Sequence, residues 1–249
     1  MNVSVKLYQS QAHTCGYYRD RVATNIIVDP AEPALPRLYQ GLLSNGFRRA
    51  GGIVYRPKCV QCQACIPTRI PTTEFRLNRQ QRRTLAKNAD VSVSMVSAED
   101  ATASDKIDEK TALYQRYIGD RHSGGGMDDP SEEDFRRFLL CDWATVFMLE
   151  LRLNGQLIGC AVTDVTVDAA SAVYTFYDPA YAQRSLGVFS VLQQIDFCQR
   201  TQLRHLYLGY WIENHPKMDY KRVFQPIEYY RNTEWQRGHK VIRPAILPI

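Results

Sequence analysis

Residues 145–167 read TVFMLELRLNGQLIGCAVTDVTV, two apolar segments on either side of Asn154-Gly155. Asn-Gly between alternating apolar residues is a strong signal for a two-residue β-hairpin turn. The next apolar segment, Ala172–Tyr177, is rich in aromatic and β-branched residues and predicts a third strand. These three strands predict the antiparallel centre of a sheet, and the rest of the chain has to pack around them.

After the third strand the pattern changes to that of a helix. Arg184-Ser185-Leu186-Gly187 is a turn signal ahead of Val188–Ile195, whose apolar residues follow helical spacing. A short apolar strand, Leu206–Leu208, follows. This order of elements resembles acetyltransferase-like (GNAT-type) folds, in which the turn and the helix N-terminus lie near a phosphate. The sequence therefore predicts an α+β fold with a catalytic core of that type.

Shorter elements are predicted before these three antiparallel strands, which we call the meander. Capping and breaker residues indicate four helices: Pro36–Asn45, Gln80–Ala89, one from about Ser104, and one starting at the capping box Ser131-Glu132-Glu133-Asp134. Strands are predicted at Ile70–Phe75 and Val91–Met95, and a loop at Gly124-Gly125-Gly126. We expect an N-terminal, cysteine-containing subdomain at residues 1–84 and the acetyltransferase-like domain at residues 85–249.

The net charge of the chain is concentrated in one segment. Residues 69–87 contain six basic residues and a single acid, Glu74, so they carry the whole net charge of +5. A local group of arginines on an otherwise neutral chain is typical of a surface that binds a polyanion such as nucleic acid. A solvated helix face without a partner would have the same composition.

Three cysteines, Cys59, Cys62 and Cys65, occur just before this basic segment. A Zn ion or an Fe–S cluster requires a fourth ligand, for which Cys15 is the best candidate and His13 the next. The alternative is a set of free thiols. The remaining cysteines lie in apolar segments and are expected in the core: Cys141, Cys160 and Cys198.

The sequence also predicts the compartment. No apolar run approaches the roughly 20 residues that span a bilayer, and Met1–Ser10 lacks the apolar region of a secretory signal. We therefore expect a cytoplasmic protein with no membrane partner. Disulfides are rare in a reducing compartment, which favours thiols or metal ligands for the seven cysteines.

The chain resembles the bacterial aspartate/glutamate leucyltransferase family, relatives of the eukaryotic arginyl-tRNA–protein transferases. The resemblance extends in order over nearly the whole chain. In the first half it rests on Cys15-Gly16-Tyr17, Gly46–Gly51, Tyr55-Arg56-Pro57, the three cysteines with Pro67 and Arg69, Phe75 and Gln81-Arg82-Arg83. In the second half it rests on Tyr174–Pro179, Arg184–Gly187, Tyr207–Ile212, Lys217–Lys221 and Pro226–Glu228.

The resemblance implies an aminoacyltransferase that moves leucine from leucyl-tRNA to proteins beginning with Asp or Glu, which marks them for N-end rule degradation. Two positions depart from the eukaryotic relatives. Tyr18 replaces a second cysteine, and Cys65-Ile66-Pro67 stands where they have adjacent cysteines before a proline. A metal here would have to be bound by a different set of ligands from that of the eukaryotic relatives, with Cys59 and Cys62 compensating for the missing cysteines.

Such a transfer requires no cofactor, because the aminoacyl ester of the charged tRNA is already activated. It requires a neutral α-amine, whose ordinary pKa is about 7.7–8.0, and a group that accepts its proton. Asp178, at the end of the third strand, is our candidate for the base or for orienting the amine. The alternative is an aspartate that caps a turn. Tyr177 and Tyr210, with Tyr174, are candidates for lining the pocket, and packing in the sheet is their alternative.

The two substrates both carry negative charge, so each needs cations. Arginine binds a carboxylate through two parallel hydrogen bonds, and phosphate contacts position a nucleic acid without reading its sequence. The candidates for binding the acidic acceptor are Arg48, Arg49, Arg184 and Lys217. The candidates for the acceptor end of the tRNA are Arg76, Arg79, Arg82, Arg83, Lys87 and Lys221.

Two other functions fit parts of the sequence. Arginyl transfer would need a buried acid in the amino-acid pocket, whereas leucine needs only apolar walls. A non-catalytic, metal-stapled RNA-binding protein would explain the basic segment and the cysteines. It would not explain Tyr177-Asp178-Pro179 or Leu208–Trp211, which lie in the half of the chain that resembles the catalytic part of the family.

Overall fold

The computed structural model describes residues 5–103, 106–121 and 130–238. The strands in these ranges are β1 (Leu7–Gln9), β2 (His13–Thr14), β3 (Val22–Ala23), β4 (Asn25–Val28), β5 (Arg48–Ala50), β6 (Ile53–Pro57), β7 (Ile66–Pro71), β8 (Ser92–Ser97), β9 (Thr145–Leu153), β10 (Gln156–Val165), β11 (Ala169–Tyr177), β12 (His205–Trp211), β13 (Glu228–Arg231) and β14 (Glu234–Arg237). The helices are α1 (Leu35–Ser44), α2 (Arg79–Lys87), α3 (Ala98–Ala101), α4 (Ile107–Arg121), α5 (Glu132–Leu139) and α6 (Leu186–Arg200). The predicted α+β class is confirmed.

The centre of the fold is an eight-stranded sheet in the order β14-β13-β7-β12-β11-β10-β9-β8. β9 and β10 form the predicted hairpin, and Asn154 and Gly155 have φ angles of 51° and 85°, as the favoured hairpin turn requires. β8 and β11 pair antiparallel with the outer edges of this hairpin. α6 then crosses over to β12, which pairs with β11 in parallel. This arrangement confirms the predicted order of meander, turn, helix and strand.

Helices cover both faces of the large sheet. Successive side chains of a strand point to opposite faces, and neighbouring apolar residues of β9 therefore pack against different helices. Met148 of β9 packs in one core cluster with Leu113 of α4. The next residue, Leu149, packs in a different cluster with Phe189 of α6. α2 lies against α6 on that second face, which brings the basic segment close to the crossover unit.

The N-terminal part of the chain forms a smaller sheet in the order β1-β4-β6-β5. α1 connects this sheet to the large one, since Leu35 and Leu43 pack with Val54 of β6 and Tyr207 of β12. β7 precedes residue 84, but it is a strand of the large sheet and pairs with β12 and β13. The division into residues 1–84 and 85–249 stays a prediction.

Some element boundaries differ from the predicted ones. The strand expected at Ile70–Phe75 runs over Ile66–Pro71, and Thr72–Glu74 form a 3-10 helix. Pro71 has no N–H with which to extend the ladder. The hairpin β13–β14 was not predicted. In the structure, both residues of its turn, Asn232-Thr233, have positive φ. Two predicted features lie outside the described residues: Ser104 and Gly124–Gly126.

A buried ion pair joins the two sheets. Nε and Nη2 of Arg49 on β5 lie 2.7 and 2.5 Å from the carboxylate oxygens of Asp164 on β10, and neither side chain is exposed. The Tyr39 hydroxyl of α1 donates to the same carboxylate at 2.6 Å. Nη1 of Arg49 donates to the carbonyls of Gly51 and Leu139. One guanidinium therefore connects β5, α5 and the centre of the large sheet.

Replacing Asp164 with Asn is expected to lower the free energy of unfolding by about 3–5 kcal/mol, because the Arg49 charge is left buried without a counter-ion. Urea denaturation followed by circular dichroism measures this change. The control is Glu132→Gln, which removes the exposed ion pair with Arg136 and should cost at most about 1 kcal/mol. Equal, small changes in the two variants would contradict the importance of the buried pair.

Candidate functional site

The parallel strands β11 and β12 separate before they end. Their pairing stops at Ser171 and Tyr207, just before Gly209, which has a φ of 71°. The Arg48 guanidinium occupies the opening: Nη2 donates to the Val173 carbonyl at 2.8 Å, and a Cβ on Gly209 would lie only 2.6 Å from Nη1. Ligands of open sheets bind at the carboxyl ends of parallel strands. We call this opening the strand gap and take it as the candidate reaction centre.

Buried polar side chains adjoin the strand gap. Tyr210 on β12 donates its hydroxyl to the Tyr55 carbonyl at 3.1 Å, and burial raises the pKa of Tyr210 well above its ordinary value. The Lys221 amino group donates to the Tyr210 carbonyl. Burial, together with the charge of Arg48, lowers the pKa of Lys221 well below its ordinary value. The prediction that Lys221 contacts tRNA phosphates does not fit, because its side chain is enclosed in the protein.

Asp178 follows β11 and caps the 3-10 helix Pro179–Arg184. One carboxylate oxygen accepts from the Ala180 N–H at 3.0 Å, and the other lies 3.2 Å from the Arg116 guanidinium. This is the turn-capping arrangement that the sequence analysis considered as the alternative to a base. Tyr210 instead contacts the carbonyls of Gly46 and Tyr55, so the hydrogen bonds of these two predicted catalytic residues go to different segments of the chain.

The other aromatic residues of β11 pack against helices. Tyr177 lies edge-on to Tyr117 of α4, with ring centres 5.1 Å apart. Tyr174 makes a similar contact with Phe138 of α5 at 5.3 Å. Both contacts help to fix the helices on the sheet, as the packing alternative expected. Only Tyr177 lies next to the carboxyl end of the strand, beside Asp178.

Helix α2 presents an exposed row of cations. A capping box between Asn78 and Gln81 starts the helix, and its inner face is buried at Gln81 and Thr84. The exposed side chains of the outer face form what we call the α2 surface: Arg79, Arg82, Arg83 and Lys87. None of the ion pairs among the described residues involves them. Arg76, also exposed, precedes the helix.

The end of helix α2 contacts the segment that leads into α6. Nζ of Lys87 donates to the Gln183 carbonyl, and Nδ2 of Asn88 donates to the Arg184 carbonyl at 2.9 Å. This segment follows Asp178 and the carboxyl end of β11. The α2 surface is therefore fixed to the same end of the sheet as the strand gap.

The four cations predicted to bind the acceptor do not form one site. Arg49 is buried in the ion pair described above, so its predicted role does not fit. Arg184 pairs with Asp90 at 2.8 Å. Arg48 occupies the strand gap, and Lys217 is exposed. Among them, only Arg48 is a charged group at the candidate reaction centre.

A pocket of about 920 Å³ lies between the cysteine loop and the β13–β14 turn. Its walls include the four predicted metal ligands: Cys15, Cys59, Cys62 and Cys65. Burial and the neighbouring thiols raise the pKa of Cys65 to about 12. A backbone hydrogen bond from Ala64 and the Arg21 guanidinium, 3.3 Å from Sγ, lower the pKa of Cys62. The thiols thus share one pocket but differ in environment.

The fit of these thiols to a metal is incomplete in this arrangement. Across residues 5–103, 106–121 and 130–238, no three Cys, His, Asp or Glu side chains stand at the mutual spacing of a metal site. The core prediction for the other cysteines holds for Cys160 and Cys198, which are buried, whereas Cys141 is half-buried.

The pocket also has basic walls that the sequence analysis did not identify. Their side chains belong to Arg21, Arg56, Lys58 and Arg231. These residues come from three separate parts of the chain, so no local pattern could have grouped them. Arg56 alone lies in a segment that carried the family resemblance.

Sequence comparison identifies the class and the family. Residues 13–83 match the family described as Arginine-tRNA-protein transferase, N terminus, and residues 109–231 match Arginine-tRNA-protein transferase, C terminus. The protein is therefore an aminoacyltransferase by class. The chain belongs to the arginine-tRNA-protein transferase family, because both parts of the family match in order along most of its length.

Curated relatives match over nearly their full length. The aspartate/glutamate leucyltransferase of Stenotrophomonas maltophilia (strain K279a) is 48% identical over 93% of this chain and 92% of its own. That of Xylella fastidiosa (strain M23) is 44% identical over 93% and 91%. That of Alcanivorax borkumensis is 44% identical over 94% of both chains. The family resemblance suggested by the motifs is confirmed.

Solved structures with partial similarity include the C-terminal domain of a putative lysylphosphatidylglycerol synthetase from Agrobacterium fabrum. It aligns with a TM-score of 0.48 and 14% identity over 76% of this chain and 55% of that chain. FemX aligns with a TM-score of 0.45 and 8% identity over 77% and 64%. In the described ranges, no helix has both the length and the apolar character of a membrane span.

Proposed function

We propose that this protein transfers leucine from leucyl-tRNA to the N-terminal Asp or Glu of acceptor proteins in the cytoplasm, which marks them for N-end rule degradation. Relatives at 44–48% identity carry the name of this activity. The observation in the fold that supports it best is the attachment of the α2 surface to the segment between β11 and α6. The cations there have no ion-pair partner among the described residues, and they would bring tRNA phosphates to the strand gap.

The transfer is an aminolysis of an ester. The acceptor α-amine forms an amide bond with the leucyl carbonyl carbon, and the ester bond to the terminal ribose breaks. The proton lost by the amine balances the one gained by the ribose hydroxyl. Because the ester is already activated, the protein contributes mainly positioning and charge stabilisation. Arg48, fixed in the strand gap, is our candidate for stabilising that charge.

The pairing of the buried acidic residues favours leucine over arginine as the amino acid that the tRNA donates. An arginyl pocket would need a carboxylate available for the donor side chain. The buried carboxylates of the described residues all have cationic partners: Glu150 with Lys110, Asp164 with Arg49, and Asp178 with Arg116. Using one of them for a donor arginine would cost the existing pair, which leucine does not require.

Purified protein supplied with labelled leucyl-, arginyl- or phenylalanyl-tRNA should transfer only leucine. Among peptides beginning with Asp, Glu, Lys or Ala, only the first two should accept it. Radiolabel incorporated into the peptide measures the transfer. Incorporation of arginine instead would support the arginyl alternative. No incorporation from any donor would support an RNA-binding protein without catalysis.

The α2 surface is proposed to bind the phosphates of the tRNA acceptor end. The double variant Arg79→Gln/Arg83→Gln should weaken leucyl-tRNA binding and reduce the slope of log K against log[salt] by about 0.7–0.9 per lost phosphate contact. Filter binding between 50 and 200 mM salt, roughly the range over which such contacts weaken strongly, measures both quantities. Arg37→Gln, an exposed change on α1, is the control. An unchanged slope in the double variant would reject this surface.

Asp178 is proposed to accept the amine proton or to orient the amine. Asn also serves as a helix cap, so Asp178→Asn should preserve the fold while lowering kcat by about 100-fold or more. Single-turnover transfer measures the rate, and thermal unfolding checks the fold. Near-normal turnover would leave Asp178 with its capping role alone.

A Zn ion or an Fe–S cluster at Cys15, Cys59, Cys62 and Cys65 remains a prediction. Its support is that the four thiols line one pocket. Such a group would have a structural role, since the chemistry of aminolysis does not require it. Elemental analysis of the purified protein tests the prediction, and absence of stoichiometric zinc or iron would reject it.

A further inference from the structure

The pocket beside the cysteine loop has walls of a single charge. Arg21, Arg56, Lys58 and Arg231 contribute basic side chains to it, and no Asp or Glu is among the described residues that line it. We call it the basic pocket. A concave site lined by one sign of charge focuses its field inside and raises the local concentration of oppositely charged ligands. The basic pocket is therefore suited to an anion.

Within the described ranges, none of the four cations of the basic pocket forms an ion pair with a carboxylate. Arg21 lies 3.3 Å from Sγ of Cys62. Arg56 is nevertheless held in position, because Nη1 donates to the Asn45 carbonyl at 2.8 Å and the guanidinium lies 5.0 Å from the Phe47 ring centre. Its charge is thus oriented in advance but remains available.

Arg56 and Arg231 reach the basic pocket from separate elements. Arg56 belongs to β6 and Arg231 to the β13–β14 hairpin, and both line the pocket. Together they could bind a carboxylate from two directions, as charge-assisted hydrogen bonds favour.

The basic pocket adjoins the candidate reaction centre. Pro67 lines both the pocket and the small cavity at the strand gap, where Arg48, Gly209 and Tyr210 lie. Cys65, in the pocket wall, packs against the buried cluster that contains Tyr210. A ligand held in the basic pocket would therefore lie beside the strand gap.

We propose that the basic pocket binds the side-chain carboxylate of the acceptor's N-terminal Asp or Glu, with Arg56 and Arg231 determining specificity. This inference rests on the proposed transfer to acidic N-termini and names the residues that recognise them. Asp and Glu, with ordinary pKa values of about 3.9 and 4.3, are ionised at neutral pH. Asn and Gln have nearly the same shape but no charge, so a cationic pocket would discriminate against them.

An acidic peptide fits the basic pocket better than a nucleic acid. Val22 and Val60, which line the pocket, are 65% and 91% exposed. Such apolar side chains suit the residues that follow the N-terminus of a peptide, whereas a phosphate backbone offers them no partner. The α2 surface is a separate set of cations on another element. The tRNA and the acidic acceptor would thus bind to separate sets of cations, the α2 surface and the basic pocket.

Peptide binding measured directly tests the basic pocket independently of the transfer reaction. Fluorescently labelled peptides beginning with Glu, Gln, Asp or Asn are titrated without tRNA into the wild type, Arg56→Gln, Arg231→Gln and the control Arg37→Gln. The wild type and the control should prefer Glu over Gln and Asp over Asn by about 10- to 100-fold. Each pocket variant should lose most of this preference while its Kd for leucyl-tRNA stays unchanged.

Three outcomes would overturn the proposal: an unchanged preference in both variants, no preference in the wild type, or weaker leucyl-tRNA binding with the peptide preference intact. The last outcome would assign the pocket to tRNA phosphates. Thermal unfolding checks each variant, and Arg231→Gln, in an exposed hairpin, serves if Arg56→Gln unfolds. A wild type that binds Glu peptides selectively but transfers no leucine would contradict the proposed function, not the pocket.

Discussion

The buried pair of Arg49 and Asp164 determines how the two sheets of this protein meet. A charge removed from water is tolerated only with a partner of opposite charge and further hydrogen bonds, and Asp164 supplies the partner from the centre of the large sheet. Consecutive side chains of a strand point in opposite directions. With Arg49 fixed on one side of β5, Arg48 is directed to the other, into the gap between β11 and β12.

The strand gap follows from this placement and from one glycine. Where β11 and β12 stop pairing, the Val173 carbonyl has no strand donor in β12, and Arg48 supplies the hydrogen bond instead. Gly209 permits the close approach, since a Cβ there would overlap the guanidinium. A permanent cation is thus built into the opening at the carboxyl ends of two parallel strands, next to the buried Tyr210.

The cations of the protein fall into two groups: those paired with a carboxylate, and those that we propose bind substrates. Many arginines of the sheets and helices have carboxylate partners, as Arg69 does with Glu228 and Arg152 with Glu109. The cations of the α2 surface and of the basic pocket have none among the described residues. These two sets lie on different parts of the structure: the α2 surface is attached to the segment before α6, and the basic pocket lies between the cysteine loop and the β13–β14 turn. A reaction between two anionic macromolecules requires such a separation, because each must be bound without repelling the other.

The sequence by itself determined the features that depend on neighbouring residues. Asn154-Gly155 specified the hairpin, Ser131 and Asp134 the capping box, and the apolar spacing after Leu186 the crossover helix. It also identified the exposed cations of α2 and the family. Only the tertiary structure decided what depends on residues far apart. Arg49 and Asp164 are separated by 115 positions, Lys221 is buried by segments remote from it, and the basic pocket combines residues from both ends of the chain. Local propensity cannot determine these contacts, because the free energy of burying a charge depends on the partner that the fold brings to it.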